Sequence, residues 1–126
     1  FEDYATVVGE FLLKHNTNTL VCNRHSTSRS GIAASPIVTP KGALMIRYEP
    51  DTKKIFIVRQ ALKDFCVSRQ VTFIDLLEGL NKTGAFIAEV RTRLDMGMET
   101  TVPPVVALEF DADLLGIEPP TAGDED

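Results

Sequence analysis

The N-terminal residues place apolar side chains at helical spacing. Because the apolar positions fall on one face of a 3.6-residue repeat, residues 1–14 are predicted to form an amphipathic helix of about three turns. The polar cluster at residues 16–18 ends it. The apolar positions are Tyr4, Val7, Val8, Phe11 and Leu12.

The segment after this helix alternates short apolar and polar runs. Residues 20–22 are apolar, and a loop rich in Ser, Thr and Arg follows and closes on Gly31. Residues 32–40 are again apolar, but Pro36 and Pro40 interrupt them. Because proline cannot donate to a ladder, we expect an extended connector here and not a central strand.

Two strand-like runs then predict a hairpin. They are residues 43–48 (ALMIRY) and 54–58 (KIFIV), with a turn between them in which Pro50 presets the backbone and Asp51 can bond its own main chain. One face of the hairpin carries apolar side chains and is expected to face the core. The apolar positions are Leu44, Ile46, Tyr48, Ile55 and Ile57, and the edges and outer face receive Arg47, Lys53, Lys54 and Arg59.

The stretch ALKDFCVSRQVTFIDLLEGL at residues 61–80 predicts two short helices joined by a tight turn. Thr72 and Asp75 have capping-box spacing, which would start the second helix at this threonine. Gly84 can end that helix in a left-handed conformation. The expected apolar stripes are Leu62, Phe65 and Cys66 in the first helix, and Phe73, Leu76, Leu77 and Leu80 in the second. Leu76, Leu77, Phe65 and Ile57 are expected to be buried together.

Two further strands complete the pattern, at residues 85–94 (AFIAEVRTRL) and 104–111 (PVVALEFD), with a loop of wing length between them. Two helices followed by a two-stranded ribbon is the winged-helix order. We therefore predict an α+β fold that is winged-helix-like, a helix-turn-helix plus a β-ribbon with an additional N-terminal helix and β-hairpin. The alternative is another small α+β arrangement.

The charge is unevenly distributed along the chain. The net charge is -5, but residues 109–126 hold seven of the 18 acids and no base, so the rest of the chain carries 13 bases against 11 acids. Residues 11–48 contain no acid. These features predict one domain over residues 1–117 and an acidic flexible tail over residues 118–126.

Three stretches taken together resemble a known family. LMIRYEPDTKKIFI, ALKDFCVSRQVTFIDLLEGL and PPVVALEFDAD, in this order, are similar to the C-terminal segment of phage- and plasmid-type replication proteins, which carry a helicase or primase-helicase body. The resemblance covers residues 18–113 and implies an accessory domain that trails an ATPase. The chain has no phosphate-binding loop of the type GxxxxGK[ST], so ATP hydrolysis is not assigned to it.

The sequence offers no catalytic, metal or cofactor site on which a reaction can be based. Glu109, Asp111 and Asp113 could hold a divalent cation, but a solvated acidic strand end is the favoured interpretation. Cys22 and Cys66 lack metal-type spacing and are expected to be buried thiols. Such thiols favour a reducing, cytoplasmic compartment. With no leader and no membrane-spanning run, we expect a segment of a larger protein that is not itself an enzyme, and the alternative is trimming at a mature N-terminus.

Nucleic-acid binding is the positive hypothesis for function. The outer face of the second helix would present Asp75 and Glu78, which repel phosphate, so the ribbon and loops are expected to carry the contacts to single- or double-stranded DNA. The alternative is a protein-protein docking module for other subunits of a replication complex, without nucleic-acid binding. The predicted DNA-binding residues are Arg91, Arg93, Arg69, Lys63, Lys82, Arg24 and Arg29.

Overall fold

A computed structural model describes residues 3–22, 38–94 and 102–117 of the chain. Helix α1 spans Tyr4–Lys14, and the side chain of Asp3 accepts from the main-chain N–H of Ala5 at 3.1 Å to cap its first turn. Val7, Val8 and Phe11 are buried, as the helical spacing predicts. A short 3₁₀ turn at Asn16–Asn18 then leads into the first strand.

The strands form one mixed sheet in the described residues. Its order is β1-β2-β3-β5-β4, with β1 parallel to β2 and the other neighbours antiparallel. Together with the four α-helices of these ranges, the sheet confirms the predicted α+β class. The strands are β1 (Thr19–Val21), β2 (Ile46–Glu49), β3 (Lys54–Val58), β4 (Phe86–Thr92) and β5 (Val105–Asp111).

The predicted hairpin is present as β2 and β3. Tyr48 pairs with Ile55 and Ile46 with Ile57, and all four side chains belong to the main core. The placement of Arg47 on the outer face or edge as a surface side chain is wrong, because this residue is 1% exposed. Arg47 alternates with the core residues Ile46 and Tyr48, as predicted, but other side chains also bury the opposite face of the sheet at this point.

The helix pair is also present. Helix α2 spans Arg59–Arg69 and helix α3 spans Phe73–Lys82, and Gln70 turns the chain between them in a left-handed conformation with φ of 59°. Leu76 and Ile57 are fully buried, whereas Phe65 and Leu77 are only partly buried and pack against the same core. The predicted cluster is therefore correct in membership, with two of its side chains at the margin.

The capping box predicted at Thr72 is not formed. Thr72 has extended backbone angles and occupies the N-cap position of α3, but its side chain makes no capping hydrogen bond. The helix start was thus predicted correctly from its threonine while the side-chain interaction was not. At the other end, Gly84 has a φ of 86°, in agreement with the expected left-handed termination.

Strand β5 lies in the interior of the sheet. It pairs with β3 on one side and with β4 on the other, so the earlier hairpin and the later ribbon share one sheet. Helix α4 (Ala112–Leu115) follows directly and is capped by Asp111, which accepts from the N–H of Leu114. The predicted tail at 118–126 lies outside the described residues.

Helices α1, α2 and α3 pack on one face of this sheet. Their buried side chains join those of β2, β3 and β5 in the main core, for example Phe11, Leu62 and Leu76 with Ile57 and Leu108. Within the described ranges, no helix has the length and apolarity needed to cross a bilayer.

Candidate nucleic-acid interface

The start of α2 brings a basic residue against the ribbon. Helix α2 begins directly after β3, so its first residue, Arg59, lies at the end of the sheet and its side chain reaches β4. Its Nε donates to Oε1 of Glu89 at 3.1 Å, and its guanidinium lies 5.2 Å from the ring centroid of Phe73. The Arg59 side chain is only 33% exposed, so an ion pair and a cation–π contact fix its position.

An open groove lies between the start of α2 and the ribbon. Its volume is about 500 Å³, and Arg59 and Arg91 both line it. The remaining lining includes the acid Glu89 and residues at the end of β3 and the start of β5. Arg91 is exposed, and Arg93, also exposed, comes immediately after the last residue of β4. The groove therefore has two arginines on its walls and a third next to it along the chain.

Lys63 continues this basic surface along α2. It lies four residues after Arg59 and so occupies the same helix face one turn on, where it is exposed. We call the set Arg59, Lys63, Arg91 and Arg93 the basic edge. Glu89 is the acid that contacts it through Arg59.

The sequence places Arg59 only at the edges or outer face of the hairpin. Its role in joining Lys63 to Arg91 follows from the lack of a loop between β3 and α2, which lets a strand-end residue become the first residue of a helix. The signal available in the sequence was the run Val58-Arg59-Gln60, which contains no turn residue.

Two predicted site residues lie away from the basic edge. Arg69 forms an ion pair with Glu10 and lies 5.8 Å from the ring centroid of Phe65, so it joins α1 to α2. Lys82 is in the last turn of α3, whereas Arg59 stacks on Phe73 in the first turn, about 14 Å away along the helix axis. Arg24 and Arg29 lie outside the described residues.

The outer face of α3 has the chemistry that the sequence predicts. Asp75 and Glu78 are exposed, and the side-chain amide of Asn81 donates to the carbonyl of Phe86 at 3.2 Å. The side-chain amide of Asn81 therefore fixes the connection from α3 to β4. This leaves the helix with little to offer a phosphate backbone.

Both cysteines are buried, as expected, and two of the three acids that could hold a cation make structural contacts. Burial raises the pKa of the Cys66 thiol, and it also raises the pKa of the Cys22 thiol against the opposing effect of Arg47, so both favour the unreactive thiol form. Asp111 caps α4, and Glu109 pairs with Lys54 at 3.5 Å. Among the described residues no group of three His, Cys, Asp or Glu side chains is arranged to hold a metal ion.

The second face of the sheet contains a buried ion pair that the sequence did not predict. Arg47 Nε donates to Glu49 Oε2 at 2.7 Å, Arg47 also donates to the carbonyl of Leu94 at 3.2 Å, and Thr52 donates to the other carboxylate oxygen of Glu49 at 2.9 Å. The sequence signal for this pair was a base, Arg47, and an acid, Glu49, at alternate positions of one strand, because such side chains lie on the same face of a sheet.

Comparison with known proteins adds no relative. No family model matches the chain, and neither the curated proteins nor the solved structures contain a significant match.

Proposed function

We propose that this chain is a non-catalytic accessory domain of a phage- or plasmid-type DNA replication protein that contacts DNA through the basic edge. The observation that carries the proposal is the groove that brings Arg59 and Arg91 together, with Lys63 one helical turn after Arg59. The resemblance of its three sequence stretches to replication proteins supplies the context.

A winged-helix-like arrangement is part of this proposal. Its support is the chain order α2, α3, β4, β5, with α1 packed against both helices and β3 of the earlier hairpin paired to β5. In this arrangement the connection between β4 and β5 is the wing, and Arg93 stands at its start. The ribbon side of the domain would then face the nucleic acid.

The expected mode of binding is electrostatic. Arginine and lysine at an open groove suit phosphate oxygens, and the exposed acids of α3 disfavour insertion of that helix into the major groove. Binding should therefore be weak, nearly independent of base sequence and steeply dependent on salt, because each neutralised phosphate releases counterions.

Fluorescence anisotropy with single- and double-stranded oligonucleotides across a salt titration tests this proposal. The double variant Arg91→Ala/Arg93→Ala should reduce the slope of log affinity against log salt by about 2, one unit for each lost phosphate contact. Glu89→Gln should raise the affinity, since it removes the acid that lines the groove and pairs with Arg59.

Lys82→Ala is the control, because it removes one positive charge from an exposed position outside the basic edge. Its effect on the slope should be clearly below the one unit expected for a lost phosphate contact. If neither oligonucleotide binds at low salt, where attraction is strongest, DNA contact is ruled out for this domain and docking to other subunits of a replication complex takes its place.

A further inference from the structure

Strand β4 forms one edge of the sheet. It pairs with β5 on one side, and no strand of the described ranges pairs with its other side. The opposite edge of the sheet is different, because β1 is bridged there by Val38, whose N–H and carbonyl both bond to Val21. Among the described residues the two edges are therefore not equivalent, and the outer side of β4 is the one open to a further strand.

The sequence of β4 favours such an addition. The strand is seven residues long, contains neither proline nor glycine, and is rich in β-branched and aromatic residues. Ile87 is 38% exposed at an irregularity of the register near the start of the strand, and regular pairing resumes at Ala88. Residues 88–92 thus offer a regular edge that a partner strand can extend.

The charges along β4 are self-complementary. Glu89 lies opposite Leu108 and Arg91 opposite Val106, so the acid and the base share one face of the sheet, two residues apart. Val90 lies between them on the other face, where it packs against the cluster of Phe56, Leu94 and Ala107.

We propose that two copies of this chain associate through antiparallel pairing of β4 with β4, with Val90 on the two-fold axis. Glu89 of each copy then lies opposite Arg91 of the other, and Ala88 lies opposite Thr92. The two Val90 side chains meet on the second face and join the Phe56 clusters of both copies. This inference rests on the geometry of β4 and does not require DNA binding.

Other registers are worse. A shift by two residues in either direction places Glu89 against Glu89 or Arg91 against Arg91. A shift by one residue would pair each position with one whose side chain points to the opposite face of the sheet. Glu89 is half exposed, so its carboxylate can accept from Arg91 of the second copy while it keeps Arg59.

The interface is small, so the dimer should be weak and reversible. Pairing of a single edge strand buries less than a standard interface of roughly 1,600 Å². Association should therefore show as a rise in mass with concentration, at about 100 µM and above.

A charge exchange tests the register by sedimentation equilibrium without nucleic acid. Glu89→Arg alone and Arg91→Glu alone each place like charges opposite one another, and each should weaken self-association about ten-fold or more. An equimolar mixture of the two single variants should associate again, because every facing pair is then opposite in charge. The double variant Glu89→Arg/Arg91→Glu should behave like the original chain.

Arg59→Ala is the control for the contact within one copy. It removes the partner of Glu89 in the same chain and should leave self-association intact. A melting curve of each variant separates loss of the dimer from loss of the fold. If the mixture associates no better than the single variants while all are folded, the proposed register is wrong.

A cysteine probe gives an independent readout. Val90→Cys should form a disulfide with itself under mild oxidation, because facing residues of antiparallel strands have Cα atoms about 4.5 to 5.5 Å apart, within disulfide reach. Thr92→Cys, on the same face, should not, because its partner is Ala88. Equal cross-linking of the two variants, or a chain that stays monomeric at high concentration, would overturn the proposal.

Discussion

Arg47 is the residue whose environment departs furthest from expectation. It is 1% exposed and held by Glu49, which is itself fully buried. Its alternation with Ile46 and Tyr48 was readable from the sequence, but the burial of both faces of β2 was not. That burial depends on Leu94, which is distant in sequence and accepts a hydrogen bond from Arg47.

Removing one member of this pair should be costly. Arg47→Met removes the cation that pairs with the buried Glu49 carboxylate, and the free energy of unfolding should fall by about 3 to 5 kcal/mol. Urea denaturation measures the change. The double variant Arg47→Met/Glu49→Leu should recover much of the loss, because no uncompensated charge remains; a double variant as unstable as the single one would contradict this account.

Gly79 lies against the ring of Tyr4, which leaves no room for a side chain at position 79. A Cβ at this position would lie 2.5 Å from Cδ2 of Tyr4, so Gly79→Ala forces the Tyr4 ring, and with it α1, away from α3. The substitution should lower the free energy of unfolding by about 1 to 3 kcal/mol. In a Tyr4→Ala background the clash is absent, and the same change should stabilise by about 1 kcal/mol through helix propensity. Thermal melting of the four proteins measures this coupling.

At the level of elements, the sequence predicts helices and most strands well. The stripes of α1 and α3 and the alternation in the hairpin are local signals, and each buries the face that the pattern indicates. The partners of the strands are not local signals. Nothing within residues 104–111 shows that β5 pairs with β3 as well as with β4.

The candidate site was only partly predictable, because it too depends on contacts between residues that are distant in sequence. Arg91 and Lys63 are found as exposed residues by pattern alone, but the approach of Arg91 to the start of α2 depends on Arg59 at the junction of β3 and α2. Arg69 has the same local features as Lys63, and its pairing with Glu10 depends on how α1 packs against α2.

The helix caps offer a test at this scale. Asp3→Ala should destabilise by about 1 kcal/mol, since the aspartate accepts from an N–H in the first turn of α1. Thr72→Ala should cost clearly less, because its side chain makes no such bond. Chemical denaturation of both variants gives the comparison. A larger loss at Thr72 than at Asp3 would show that the capping box forms in solution.

For the whole molecule, β5 holds the two halves of the sheet together. A chain that ends at residue 94 lacks this strand, so β3 and β4 lose their common neighbour and the core loses Leu108 and Phe110. It should show no cooperative melting transition by circular dichroism. A chain that ends at residue 117 keeps every described element and should melt like the original.

The position of β5 also affects the order in which the protein can fold during synthesis. The β2–β3 hairpin and the helix pair leave the ribosome first, yet Lys54 pairs with Asp111, which is made much later. Until β5 is made, the main-chain groups of β3 that will bond to it, at Ile55 and Ile57, have no neighbouring strand and can pair wrongly. Until the residues of β5 emerge, this edge is therefore a place where aggregation can begin.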